Sequence, residues 1–371
     1  MKRLVINKKD LKNNIEIIQK MLSSSKDKTP ELIAVVKANG MGLDLISYSK
    51  FLVENGVNKL AVAVLDEAIK LRKEAKLSIE ILMMTPTNVE DEIKEMIEND
   101  IILSVGSLEE LEAIKKVSKK LNKVAKINLK IDTGFGRYGF LYNDEESILK
   151  VFENKENVEI LGTFTHFSKC IDEVWTRTQF NRFLNVIKSI KEKGYNPGIC
   201  HCASSTAFIC YKDMWLDAVR IGSVIQGRTL KKVEGLKKIG EYHTSIVEIK
   251  ELPEKFGISY GKTYITKSKA KVATIAAGYM DGFNESKLND DFSFKSKLRL
   301  VLSDIKKLFK DSSLKVYING KEYKVVGRLG MFHAVIDISS SKENEIKVGD
   351  EVVISSVAPM YTNEEIRREY V

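Results

Sequence analysis

Cysteine is scarce in this chain. Four are present in 371 residues (Cys170, Cys200, Cys202 and Cys210), a count that suggests no disulfide framework. Cys200-His201-Cys202 lacks the paired spacing of a structural zinc site and reads as small buried residues on a strand. No apolar run is long enough to cross a membrane, and no apolar signal segment follows Met1-Lys2-Arg3, so a cytoplasmic chain with no membrane partner is expected. Repeats and low-complexity linkers are missing too. A formal charge of +9 invites a nucleic-acid partner. Yet the lysines, as in Lys115-Lys116 and Lys119-Lys120, are spread along helical faces among glutamates. No basic block interleaved with aromatics could stack on bases. No nucleic acid is expected; the charge suits a small anionic ligand.

What the chain has is length and apolar content. With 371 residues, 43% of them hydrophobic, it fits two domains, or one barrel with an appendage. Leu4-Val5-Ile6 reads as a short strand and Lys8 to Met21 as an amphipathic helix. Leu32-Ile33-Ala34-Val35-Val36 reads as a strand buried on both faces, ending at Lys37 and a turn with two glycines. From there strands alternate with helices. Strand candidates begin at Lys59, Ile79, Ile101, Ala125, Val158, Gly198 and Asp217, and Ser107-Leu108-Glu109-Glu110 matches a capping box. Eight strands alternating with helices over roughly 200 residues predict a closed parallel (β/α)8 barrel of the TIM type, with an open doubly wound sheet as the alternative. After about Gly240 the texture changes to short half-buried strands, and Asn319-Gly320 is a hairpin signal. The expected fold is therefore α/β: a barrel over residues 1–240, then a mostly β C-terminal domain over 241–371. Gly278 to Asp304 is expected to be a loop-rich insertion.

Polar residues gather where the barrel strands end. Lys37 follows the first strand, and Lys130 to Gly139 surrounds the end of the fifth. Thr165-His166-Phe167-Ser168 follows the sixth, His201 to Ser205 the seventh, and Arg220-Ile221-Gly222-Ser223 the eighth. Glycines and serines after the last two strands match the usual phosphate site of a barrel. Each segment alone has a plainer reading: loop glycines, a helix cap at Ser204-Ser205, a core histidine, an ordinary ion pair. A lysine, a phosphate-type cradle and an arginine on one rim together suit a lysine-bound pyridoxal phosphate.

At these residues the chain resembles the alanine racemase family. The resemblance runs in order through Ala34 to Asn39, Asp132 to Arg137, Thr165-His166-Phe167, His201-Cys202-Ala203 and Arg220-Ile221-Gly222. It continues through Ser259 to Tyr264, Gly278 to Gly282 and Gly327-Arg328. It implies a pyridoxal-phosphate-dependent racemase of small amino acids, working as a homodimer with shared active sites. Lys37 would hold the cofactor as a Schiff base and move the Cα proton on one face; Tyr260 from the partner would serve the other. A tyrosine titrates near pH 10, and the resemblance makes His166 and Arg220 the suppliers of the cations that such a base needs. Arg220 would sit at the pyridine nitrogen, and Ser205, Gly222 and Ser223 would hold the phosphate. Arg137 would bind the substrate carboxylate, with Tyr279 and Met331 lining the substrate side from the partner. Lys130, carbamylated or unmodified, would orient Arg137. No metal is implied.

Three positions depart from the family's pattern. Met41 stands where a phosphate-binding tyrosine is usual, and Phe332 where an aspartate is usual at the entrance. Ser355 or Ser356 falls near another usual tyrosine. The expected activity is interconversion of L- and D-alanine. The alternatives are racemisation of serine or another amino acid, a barrel that binds cofactor without turnover, and a decarboxylase on a related plan.

Overall fold

The computed structural model describes residues 2–25, 28–285, 294–308 and 314–371. The strands are β1 (Arg3–Ile6), β2 (Glu31–Val35), β3 (Lys59–Val62), β4 (Glu80–Met83), β5 (Leu103–Val105) and β6 (Ala125–Asp132). They continue with the two-residue β7 (Phe140–Leu141), then β8 (Val158–Phe164), β9 (Ile199–Ser204) and β10 (Ala218–Ile221). Strands β2 to β6 and β8 to β10 are parallel neighbours in chain order, and β10 returns to pair with β2. The last gap is spanned by a parallel bridge between Leu82 and Ile102, where Met83 N donates to Ile102 O (2.9 Å) and Ile102 N to Ile81 O (2.9 Å). The expected barrel of eight strands is thus the fold observed.

Part of its core is aliphatic, where Ile33, Ala61, Leu82, Ile102 and Ala218 pack together. Helices cover the outside because their apolar residues recur at three and four positions. Lys8–Ser23 buries Leu11, Ile15, Ile18 and Leu22. The helix Leu108–Leu121 starts as its capping-box sequence predicts, Ser107 Oγ accepting from Glu110 N (3.2 Å).

The chain divides into two compact units, Lys9–Lys238 and Met1–Lys8 with Ile239–Val371. The first residues, expected in the barrel, thus lie with the β unit: β1 pairs antiparallel with β11 (Glu241–Leu252) and parallel with β19 (Arg367–Tyr370). Its partners are more than two hundred residues away, so no local pattern marks the pairing. Between them run β12 (Gly257–Ile258), β13 (Tyr264–Ile265), β14 (Ala270–Ile275), β15 (Lys315–Ile318), β16 (Lys321–Val326), β17 (Ala334–Asp337) and β18 (Glu351–Ile354). The sheet order is β14-β17-β16-β15-β18-β11-β1-β19, over a core that includes Tyr242, Ile246, Phe283, Val316, Ile336 and Val352. Asn319-Gly320 makes the predicted hairpin turn, both residues at positive φ (51° and 76°). Of the supposed loop-rich insertion, Phe294–Leu308 is an α-helix; apolar spacing at Phe294, Leu298, Val301 and Ile305 explains it. Residues 286–293 fall outside the described residues.

Asn14 ties the first helix to the end of the barrel sequence. Its amide donates to Ile225 O (2.9 Å) and Lys237 O (2.7 Å) and accepts from Lys237 N (2.8 Å), and the Asn14 side chain itself is fully buried. Asn14→Leu leaves those backbone groups unpaired and is expected to lower stability by about 2–4 kcal/mol. Urea unfolding followed by circular dichroism checks this; an unchanged midpoint refutes it.

Candidate active site

Parallel strands of a barrel all end at one rim, so residues following β2, β6, β8, β9 and β10 are neighbours despite their sequence separation. A cavity of about 310 Å³ opens there, lined by Lys37, Met41, Lys130, Arg137, His166, Ser205, Arg220, Gly222 and Ser223 among others. Every barrel residue expected at the site is therefore in one place. Tyr138, Phe164 and Thr206 line it as well and were not singled out from sequence. The signal was available: each adjoins a residue that was.

Lys37 is presented by unusual backbone. Ala38, Asn39, Gly40, Met41 and Gly42 all have positive φ (56°, 52°, 67°, 55° and 84°). A left-handed non-glycine residue costs roughly 1–2 kcal/mol, so such a run needs support. Gly40 N bonds Val36 O and Gly42 N bonds Ala38 O, each at 2.9 Å. Glu67 Oε1 accepts from Asn39 N (3.0 Å), and Asn39 Oδ1 in turn accepts from Leu45 N (2.9 Å). The turn aims the lysine inward. Burial and the nearby Arg137 lower the Lys37 pKa, against a smaller upward pull from Glu67. A lysine in that state has more free amine for attack on a carbonyl.

Arg220 is fully enclosed. Its Nη2 donates to Thr165 O (2.7 Å) and lies 3.3 Å from His166 Nδ1; its Nη1 donates to His201 O (3.1 Å) and meets His201 Nδ1 at 2.5 Å. The contact fixes Nδ1 of His201 as the acceptor. Burial lowers the guanidinium pKa to about 10, leaving it charged at neutral pH. Burial first, and Arg220 next, push His166 well below the ordinary histidine value. That direction favours a neutral imidazole at His166 over the cation expected there, with the charge beside it carried by Arg220. Phe164 lies between the buried cations, with Lys130 Nζ 4.9 Å and the Arg220 guanidinium 5.0 Å from the ring centre.

The hydroxyl cradle forms where β9 and β10 end. Ser205 Oγ accepts from Gly222 N at 3.0 Å, which leaves its own O–H to donate. Met41 fills the wall beside it: the Met41 methyl is 3.4 Å from where a Cβ on Gly222 would stand. A thioether has no hydrogen to donate, so this wall contributes packing only.

The other expected residues lie on the β unit. Tyr260 is 71% exposed, Tyr279 41% and Met331 50%. Ser259 introduces Tyr260 from a strained φ of 62° and donates its hydroxyl to Arg328 O. Tyr279 N bonds Gly330 O (3.1 Å) and Met280 N bonds Met331 O (3.0 Å), zipping two loops together. Phe332 lies under Lys2 Nζ, 5.1 Å from its ring centre, and that ammonium pairs with Asp281 at 2.7 Å. Cys200 and Cys202 are buried on β9, and burial raises both thiols. Among the described residues no cluster could hold a metal, and no helix is long and apolar enough to cross a membrane.

Known proteins resemble this chain in sequence and fold. The family model described as "Alanine racemase, N-terminal domain" matches residues 6–229, and "Alanine racemase, C-terminal domain" matches 239–369. An alanine racemase from Methanococcus maripaludis is 33% identical over 353 residues, 93% of this chain and 86% of that protein. One from Clostridium tetani is 34% identical over 334 residues, covering 87% and 79%. Among solved structures, an alanine racemase from Clostridium difficile 630 superposes with a TM-score of 0.84 at 27% identity, covering all of this chain and 95% of that one.

Burial, and then Arg220, bring the Lys130 pKa from 10.5 down to about 7. The unfolded chain thus holds more protons than the folded one between pH 7 and 10.5, and this residue's contribution to stability rises with pH over that window. In bicarbonate-free buffer Lys130→Met is expected to be more stable than the parent at pH 6, by on the order of 1–3 kcal/mol. The advantage should fade toward pH 10. Urea midpoints at the two pH values measure it, and a pH-independent difference would contradict it.

Proposed function

The chain belongs to the alanine racemase family, and from that premise we propose that it interconverts L- and D-alanine with pyridoxal phosphate, by proton transfers at Lys37 and Tyr260 of a homodimer. The observation that carries the reading is the rim itself. A lysine with lowered pKa, a buried guanidinium and a hydroxyl cradle share one cavity of about 310 Å³.

The donors fit the cofactor. Ser205 and Ser223 hydroxyls suit a phosphate, with the Gly222 N–H holding Ser205 in place, and Lys37 Nζ suits the aldehyde carbon. Pyridoxal phosphate, when bound, takes up the electron pair left at Cα. Everything else falls to the protein. Lys37 holds the cofactor and then moves the Cα proton on one face. The partner's Tyr260 moves it on the opposite face; its exposure in the single chain is consistent with service to a second copy. Arg220 would hold the cofactor at its pyridine nitrogen. A guanidinium keeps its protons, so it would supply a hydrogen bond there and no proton, which would limit diversion to transamination. Arg137 would bind the substrate carboxylate, and His166 would stand beside the cofactor. Lys130 has free amine near neutral pH, so it can take up carbon dioxide, and the carbamate would give Arg137 an anionic partner. Tyr279 and Met331 line the substrate side.

Incubation with a panel of L-amino acids in D2O, followed by chiral analysis, tests the reading. Deuterium at Cα with racemisation is expected for alanine. No exchange with any amino acid would sink the racemase assignment, and exchange confined to larger side chains would sink alanine. Lys37→Ala and Tyr260→Phe should each lose at least about a hundredfold in rate. Mixed in equal amounts and allowed to exchange subunits, the two variants should recover about a quarter of the parent activity, since half the mixed dimers' sites are intact. No recovery between dimers shown to exchange would place both bases in one chain.

A further inference from the structure

The loop carrying Arg137 has little of its own to keep it in place. Gly134, Gly136 and Gly139 all have positive φ (125°, 74° and 114°), and Gly134, Gly136, Arg137 and Tyr138 are exposed. An exposed, glycine-rich loop opens readily. Here its backbone N–H groups converge on one buried carboxylate. Asp132, the last residue of β6, accepts on Oδ1 from Gly134 N and Phe135 N at 2.8 Å each. Its Oδ2 accepts from Gly136 N at 2.8 Å and Arg137 N at 3.2 Å. Bonds to an ionised acceptor are stronger than neutral ones, and these four are consecutive along the chain.

The loop's ends are anchored separately. Thr133 Oγ1 is 2.9 Å from Thr165 Oγ1, and Arg182 Nη1 donates to Thr133 O at 2.9 Å. Beyond the loop, Phe140 pairs with Ile131, and a Cβ on Gly139 would come within 2.7 Å of Lys130 O. Between these anchors only Asp132 gathers the amides. The Arg137 guanidinium rests 4.3 Å from the Phe135 ring centre and 5.0 Å from that of Tyr138. Its direction therefore follows from the residues that the carboxylate orders.

We infer that Asp132 is a positioning residue: by holding the amides of residues 134–137 it fixes where the Arg137 guanidinium meets the carboxylate of the substrate. The inference rests on the role proposed above for Arg137 and extends it to a residue that touches no substrate itself.

Asp132→Asn preserves shape but turns one oxygen into a donor facing two of the four amides. With pyridoxal phosphate bound, spectroscopic titration is expected to show alanine weakened about ten- to a hundredfold. Ethylamine, which lacks the carboxylate, should bind as it does to the parent, and cofactor uptake should be unchanged. In kinetics KM rises by the same factor while kcat stays within about threefold. In an Arg137→Ala background Asp132→Asn should add nothing for alanine. Equal weakening of alanine and ethylamine, or full additivity with Arg137→Ala, overturns the inference. Should Asp132→Asn not fold, Gly136→Ala serves. That site has open space around it and only its φ is strained, so the same selective loss is expected, and loss of neither ligand's affinity overturns the inference. A parent chain that takes up no cofactor sinks the functional reading and this inference together; a working parent with an indifferent Asp132→Asn sinks this inference alone.

Discussion

A guanidinium enclosed by a barrel must have its N–H groups satisfied, and Arg220 imposes that condition on the strands around it. Its terminal nitrogens take backbone carbonyls at Thr165 and His201 and face the rings of His166 and His201. Burial first, and this charge second, lower the pKa values of both imidazoles and of Lys130. Its other neighbour is aromatic: Phe164 accommodates two cations through its face without neutralising either. The rim is thus short of negative charge by construction. Such a setting suits anionic ligands.

Two short pieces of backbone translate this field into geometry. One is the left-handed turn after β2, which is held by Glu67 and Asn39 and carries Lys37. The other is the glycine loop after β6, which is held by Asp132 and carries Arg137. In both, a buried acidic side chain binds backbone amides instead of pairing with the functional cation close by. That leaves Lys37 and Arg137 free for ligands while their positions are still fixed.

Much of this was legible in the sequence. Runs of β-branched residues at Leu32–Val36 and the later strands, separated by helical periodicity, predict a barrel; short alternating strands after Gly240 predict the β unit. Polar residues at successive strand ends predict the cavity lining, and Lys37, Lys130, Arg137, Ser205, Arg220 and Gly222 meet there. What escaped has physical reasons. Strand β1 is adjacent in sequence to the first barrel helix, yet its partners are β11 and β19. The lowered pKa of His166 depends on burial and on Arg220, a residue 54 positions away. Phe294–Leu308 was hidden by the polar and loop-forming residues that surround it.

Asp132 shows where the boundary falls. Its place in Asp132-Thr133-Gly134-Phe135-Gly136-Arg137 marked it as part of a motif, but nothing local distinguishes a carboxylate that binds substrate from one that binds four amides of its own loop. Residue types and their periodicity determined by themselves which elements form and which chemical groups stand at the strand ends, because those follow from steric preference and from burial of apolar surface. The protonation of His166 and Lys130, the direction of Arg137 and the membership of the first strand were decided only by the tertiary structure. Each depends on a desolvated charge or a backbone partner brought close by folding, and the strength of such interactions is set by distance and burial.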